Sequence, residues 1–290
     1  MNYCDLHTHS VFSDGTCTPE EIIDKAEKLS LSAVALCDHN TVLGLPRFIT
    51  AAKGKSVTAV PGAEFSVTWG KCKIHLLGLY IPESAFEPIE EMMREDVRLK
   101  EESNLNLARA LCDAGYIVDY DEIKKKSPTG RVNRAHFAEA LWLSGYVMSI
   151  DEAFSTLLSS SKGLYTPPRR RDVMDMIRTI SSLGAVPVLA HAFLNLTCEE
   201  LEEFLPLAKE AGLVGMECLY STYSDEETAL SFALAERFGI LPSGGSDFHG
   251  ARKPDIALGV GKGNLQVPSA WAEEIKNENA KCKMQNAKLI

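Results

Sequence analysis

Six of the chain's seven histidines lie on, or at the ends of, segments that read as β-strands. His7 and His9 sit in "YCDLHTH", His39 ends "SAVALCDH", His75 lies in "KIHLLGLYI", His191 ends "AVPVLAH" and His249 follows "ILPSGGSDF". An imidazole placed in an apolar strand needs a polar partner. Any one of these rings has an ordinary answer, a hydrogen bond within a core. Six together, with Asp14, Glu64 and Asp247 in the same segments, are satisfied most cheaply by a shared site. Residues two apart in a strand point the same way, so His7 with His9, and Asp247 with His249, each offer two side chains to one point. Glu64 reads as lying just past a strand. These groups fall at the C-terminal ends of strands expected to be parallel, the edge where ligands bind in parallel α/β folds and barrels.

The rest of the pattern fits such a fold. Strand signals over residues 3–9, 32–39, 56–67 and 73–81 surround a helix over 18–29 that opens with Thr18 as cap, Pro19, and acids in its first turn. The βα alternation implies a mainly parallel sheet. It stops near residue 87. A long charged helix follows over 88–114, ended by Gly115, then helices over 133–143 and 150–158, with no clear strand before residue 164. Alternation resumes with helices over 172–184, 197–212 and 225–239 between strands over 185–191, 214–220 and 240–250, the last ending in a Gly-rich turn. The expected organisation is therefore a barrel domain, residues 1–87 and 164–290, carrying a helical insertion at 88–163. The last 18 residues are polar and read as a frayed helix.

Composition narrows the function classes. The net charge of −10 argues against broad nonspecific binding of long nucleic acid, though not against a local basic pocket. The eight cysteines form no CxxC pair, which predicts reduced thiols rather than a thiolate metal site. No uncharged apolar run approaches the roughly 18 residues of a membrane span, and no signal sequence opens the chain, so a cytoplasmic protein is expected.

Imidazole with carboxylate and no thiolate suits Mn, Fe or Zn. The set His7, His9, Asp14, His39, Glu64, His75, His191, Asp247 and His249 is too large for one ion and enough for two or three. Such ions would leave net positive charge for an anionic substrate. They would also lower the pKa of a bridging water to about 7, supplying hydroxide with no separate catalytic side chain assigned. These are the requirements of phosphoester hydrolysis.

The segments "DLHTHSVFSDG", "CDHNT", "PGAEFS", "IHLLGLY", "LAH" and "GGSDFHG" resemble, in order, the motifs of the PHP (polymerase and histidinol phosphatase) superfamily. The resemblance implies a distorted (β/α)7 barrel with two or three metals on its C-terminal face and the nine residues above as ligands. "GRVNRAHFAEAL" is similar to the subgroup of nucleoside 3′,5′-bisphosphate phosphatases and 5′→3′ exoribonucleases, in which a helical insertion covers the barrel mouth. Within it Gly130 is expected to open a helix, with Arg131 and Arg134 on one face, and Arg134 and His136 are candidate substrate-binding residues. "YTPPRRRD" resembles the subgroup's Tyr-x-Pro segment, and Arg169 and Arg170 are candidates for a substrate phosphate. Two departures stand out: no proline follows His191, and Tyr223 stands where relatives often carry histidine. The expected partner is a small phosphorylated substrate, a nucleotide or short oligonucleotide. Histidinol phosphatase activity, or a noncatalytic metal-stabilised module, are the alternatives.

Overall fold

The computed structural model describes residues 2–126, 132–161 and 163–286, with side chains to residue 278. In chain order the elements are β1 (Tyr3–Thr8), α1 (Pro19–Lys28), β2 (Ala33–Leu36), α2 (Leu45–Ala51), β3 (Thr58–Trp69), β4 (Cys72–Leu79), α3 (Phe86–Asp113), α4 (Tyr120–Lys125), α5 (Arg134–Leu143) and α6 (Ile150–Ser155). Then come β5 (Arg171–Asp172), α7 (Val173–Ser182), β6 (Val186–Ala190), α8 (Cys198–Ala211), β7 (Gly215–Tyr220), α9 (Asp225–Phe238), β8 (Leu241–Gly245), β9 (Val267–Pro268) and α10 (Ser269–Asn286). Local chemistry accounts for many of the helix starts. Thr18 with Glu21, Thr197 with Glu200 and Ser224 with Glu227 each form a reciprocal capping box.

The strands run in the order β8-β7-β6-β4-β3-β2-β1-β9. The sheet nearly closes where the chain just past β8 meets β1: Asp247 N–H donates to the His7 carbonyl at 2.8 Å and His9 N–H to the Phe248 carbonyl at 2.9 Å. The result is a distorted seven-stranded α/β barrel, as expected.

The sheet is less parallel than the alternation implied. β4 runs antiparallel to both β3 and β6. The reason lies in "WGKC": Trp69 pairs with Cys72, leaving a two-residue loop with Gly70 at φ +57°. A loop that short can join only antiparallel strands. β3 also continues well past Glu64. It pairs with β2 through Pro61 and then with β4 from Gly62, so Glu64 lies inside a strand rather than beyond one.

The barrel interior is layered. Ala33 and Ala35 of β2, Val60 of β3, Leu77 and Leu79 of β4 and Val186 and Val188 of β6 fill its lower part, and Ala272 and Ile275 of α10 pack against them from below. Further along the same inward faces, apolar residues give way to Glu64 on β3 and His75 on β4, each an even number of residues from those apolar neighbours. Because β4 is reversed, His75 sits near its start yet at the same mouth.

Between β4 and β5, helices α3–α6 gather an apolar cluster of their own around Leu107, Leu111, Phe137 and Leu141. The first turns of α3 pack instead into the barrel's outer core through Ile89 and Met93. One helix thus spans both bodies. Among the described residues no strand occurs between α3 and β5, and no helix is long and apolar enough to cross a membrane.

Candidate metal centre

Glu64 is the hub of the barrel mouth. Its fully buried carboxylate lies 2.7 Å from His75 Nδ1, 2.9 Å from His191 Nε2, 3.0 Å from His39 Nδ1, 3.3 Å from His9 Nε2 and 3.4 Å from His7 Nε2. Burial alone would raise its pKa, but His75, His39 and His7 outweigh that and hold it well below the usual carboxylate range. Asp14 reaches His249 Nε2 at 3.3 Å and His39 Nε2 at 3.6 Å, and Asp247 reaches His9 Nε2 at 3.0 Å. All nine residues expected from the sequence converge here.

They converge by different routes. His7 and His9 bring their Nε2 atoms within 3.0 Å of each other at the end of β1. Asp247 and His249 do not share a strand face: β8 ends at Gly245, Asp247 takes φ +56°, and His249 opens a 3₁₀ turn at Gly250–Arg252. His191 also has positive φ, +25°. Such backbone costs about 1–3 kcal/mol per residue and persists where the surroundings impose it. Here the imposing bonds include the closure at His7 and a strong carboxylate anchor, Glu217, which accepts the His191 N–H at 2.6 Å.

Several buried atoms at this mouth make no well-aligned hydrogen bond: Nδ1 of His9 and His191, and also Nδ1 of His39 and His75 and Oε2 of Glu64, although those two rings stand beside that carboxylate. Polar atoms left so at full burial are costly, and a shared cation is the partner that suits all of them. Burial pushes the His9 imidazole down to about 3, so it keeps a free lone pair at neutral pH. Three overlapping sets have ligand atoms within 4.8 Å of one another: His9, Asp14, His39, His249; His7, His9, Glu64; and His39, Glu64, His75. The residues fit divalent cations held by nitrogen and oxygen.

Sequence reasoning missed the carboxylates that hold this set. Glu217, fully buried on β7, lies 2.9 Å from His7 Nδ1. A ring N–H donated there leaves Nε2 as the free lone pair. Asp5 accepts from Ser246 N–H and Oγ–H and from Gly259 N–H, and Asp38 from Ser10 and Ser13. Asp247 Oδ2 accepts from Tyr220 at 2.7 Å and Lys253 at 2.6 Å. The one available signal was an acid inside an apolar strand, as in "VGMECLY". Tyr223 is buried and its hydroxyl accepts the Phe193 N–H at 3.2 Å, bracing the turn after His191.

A cleft of about 560 Å³ opens from this centre and runs between the barrel and helices α3, α5 and α6. Arg134, Arg169 and Arg170 line it, with Lys100 and Tyr165. Arg134 is stacked over Tyr165 at 4.7 Å and Phe154 at 5.3 Å, and Lys100 Nζ lies 3.2 Å from the Tyr165 hydroxyl. Among the described residues, no carboxylate stands at ion-pair distance from Lys100, Arg134 or Arg170. Burial, chiefly, lowers the pKa of all three. Tyr165 also shifts down, because Lys100, Arg134 and Arg170 outweigh its burial. Arg169 is exposed at the rim.

His136 does not line the cleft. It is buried at the third position of α5, where its Nδ1 accepts the Asn133 N–H at 2.9 Å. It caps the start of α5, because at that position the ring turns back onto the preceding turn. Gly130 and Arg131 lie outside the described residues, and α5 opens at Asn133–Arg134.

A PHP domain model matches residues 5–148. A 3′,5′-nucleoside bisphosphate phosphatase from Chromobacterium violaceum is 31% identical over 256 residues, covering 86% of this chain and 88% of that one. The chain belongs to the PHP family. A 5′-3′ exoribonuclease from Haemophilus influenzae is 29% identical over 246 residues, 84% of this chain and 89% of its own. Among solved structures, an amidohydrolase from Chromobacterium violaceum with bound sulfate and no metal has a TM-score of 0.84 at 28% identity, covering 95% of this chain and 96% of that one. As a PHP protein the chain is a metal-dependent phosphoester hydrolase, and its barrel is the family's (β/α)7 barrel.

Proposed function

We propose that this PHP enzyme hydrolyses phosphoesters of nucleotides, of the 3′,5′-bisphosphate or AMP type, or of short oligonucleotides. His7, His9, Asp14, His39, Glu64, His75, His191, Asp247 and His249 would hold two or three ions of Mn, Fe or Zn. The observation that carries the reading is that the histidine–carboxylate cluster shares one cleft with a group of cations, Lys100, Arg134 and Arg170, that have no carboxylate partner among the described residues. Bound metal would activate water and polarise the phosphoryl oxygen. The chain's own residues divide the remaining work. Arg134 and Arg170, with Lys100, take a second phosphate by charge-assisted hydrogen bonds, and Arg169 approaches it from the rim. Tyr220 and Lys253 keep Asp247 oriented. Residues 88–163 act as a cap over the barrel formed by 1–87 and 164–290. The relatives named above are a nucleoside bisphosphate phosphatase and an exoribonuclease, which supports this reading. Histidinol phosphate, with a single phosphate and a cationic amine, matches a cation-lined cleft poorly. Free cysteines throughout the described chain suit a cytoplasmic setting.

The test is phosphate release from adenosine 3′,5′-bisphosphate, AMP, histidinol phosphate and a short 5′-phosphorylated RNA with Mn²⁺, alongside elemental analysis. The bisphosphate or the RNA is expected to give the highest kcat/KM, with two or more ions per chain. Histidinol phosphate as best substrate, or one ion or fewer, would overturn the reading.

The Glu217 contact yields a separate expectation. Glu217→Gln keeps the side chain's shape but weakens its hold on the His7 ring. Mn²⁺ affinity is expected to fall about 10- to 100-fold, as for other partners that orient a liganding imidazole. Competition against a chelating dye measures it. Unchanged affinity would mean that β1 alone orients His7.

A further inference from the structure

We propose that Arg252 is a positioning residue, a latch that couples α5, which carries Arg134, to the loop that carries Asp14. The proposal rests on the reading of Asp14 as a metal ligand. Arg252 closes the 3₁₀ turn three residues after His249, with its side chain only 13% exposed. Its guanidinium spans two bodies. Nη2 and Nε donate to Glu139 Oε2 on α5, at 2.8 and 3.2 Å, while Nη1 donates to the Asp14 carbonyl at 2.7 Å. His136 Nε2 lies 3.4 Å from the same Nη1. Because Nδ1 of that ring accepts the Asn133 N–H, the neutral imidazole carries its proton on Nε2, and burial keeps it neutral, lowering it to about 4. The approach to Arg252 is then packing, and Glu139 is the anchor on the helix side.

The loop has little slack on its barrel side. Asp38 accepts from the Ser10 N–H at 2.8 Å and from the Ser10 and Ser13 hydroxyls at 2.6 Å. A side chain at Gly15 would meet the His9 carbonyl oxygen at 2.2 Å. The Asp14 carbonyl accepts from Arg252 at 2.7 Å, which ties this loop to the turn after His249. Arg252 lines the cleft, but three of its N–H groups are already engaged, by Glu139 and the Asp14 carbonyl. Shifts of α5 at its Arg134 end are therefore passed through Glu139 and Arg252 to the backbone of Asp14. By reciprocity, whatever fixes Asp14 also steadies α5.

The test is segment-resolved hydrogen exchange on wild type and Arg252→Lys, with and without Mn²⁺. Lysine keeps the charge but is shorter and has one nitrogen in place of the rigid fork that Glu139 and the Asp14 carbonyl share. In wild type, Mn²⁺ is expected to slow exchange in residues 10–17 and also in α5, which supplies no ligand. In Arg252→Lys the slowing of 10–17 persists and that of α5 is lost. Without metal, both segments are expected to exchange about tenfold faster in the variant, and barrel strands remote from them are not. An α5 that ignores metal in wild type while residues 10–17 respond, or that still responds in Arg252→Lys, overturns the latch. Faster exchange throughout the barrel makes Arg252 a general brace and also overturns it. If Mn²⁺ leaves 10–17 unchanged in wild type, the ligand reading of Asp14 fails. The metal-free comparison then decides alone: joint acceleration of the two segments upholds the latch, and acceleration of one overturns it.

Discussion

Replacing Glu64 with alanine is expected to lower kcat by more than about 100-fold and to remove at least one ion per chain, a larger loss than follows from disturbing an outer partner of a ligand. No other carboxylate in the mouth touches so many rings: five imidazoles lie within 3.4 Å of it. Its removal takes away the anion that joins the His7–His9 side of the site to the His75–His191 side. Glu64→Gln separates charge from shape. The amide fills the same volume, so the fold should be kept, while the held-down carboxylate that stays ionised inside the barrel is gone. Elemental analysis after Mn²⁺ reconstitution, with kcat and a thermal melt, reads all three consequences. Near-normal turnover at full metal content in either variant would mean that the cluster is not the reaction centre.

Arg134→Ala is expected to lower kcat/KM for adenosine 3′,5′-bisphosphate by about 10- to 150-fold, the worth of one charge-assisted hydrogen bond of roughly 1.5–3 kcal/mol. p-Nitrophenyl phosphate, whose only phosphate belongs at the metals, should lose much less. The guanidinium is stacked between Phe154 and Tyr165 and donates to the Leu158 carbonyl at 3.2 Å, so alanine also removes packing. Arg134→Lys guards against that confusion, since it keeps the charge and most of the volume and should retain part of the bisphosphate preference. Equal loss on both substrates would place Arg134 at the metal centre or in the fold. No loss on either would return it to a structural role.

The metal-centre candidates were legible because ligand chemistry restricts residue type. An imidazole or carboxylate in an apolar strand is conspicuous, and a repeat of two assigns it a side. The β/α rhythm and the capping boxes of α1, α8 and α9 are likewise local properties, written within a few adjacent residues. The reversal of β4 was legible in principle too, in the two residues between Trp69 and Cys72, but the alternation of strand and helix masked it.

Other features belong to the tertiary structure alone. That Asp247 meets His9 depends on a left-handed turn after β8 and on closure of the barrel against β1, between positions more than two hundred residues apart. Glu217 is one acid among many until β7 places it behind His7. His136 and His9 are the same imidazole in sequence, yet one caps a helix and the other joins the cluster, because direction is set by the turn beneath each ring. The same holds for Arg252, whose partners Glu139 and Asp14 come together only in the packed structure. By itself the sequence determined which atoms are able to ligate a cation and which local elements carry them. Only the packed barrel decided which of those atoms meet, because convergence is a property of distances between segments, and those are fixed by closure and packing rather than by any one stretch of chain.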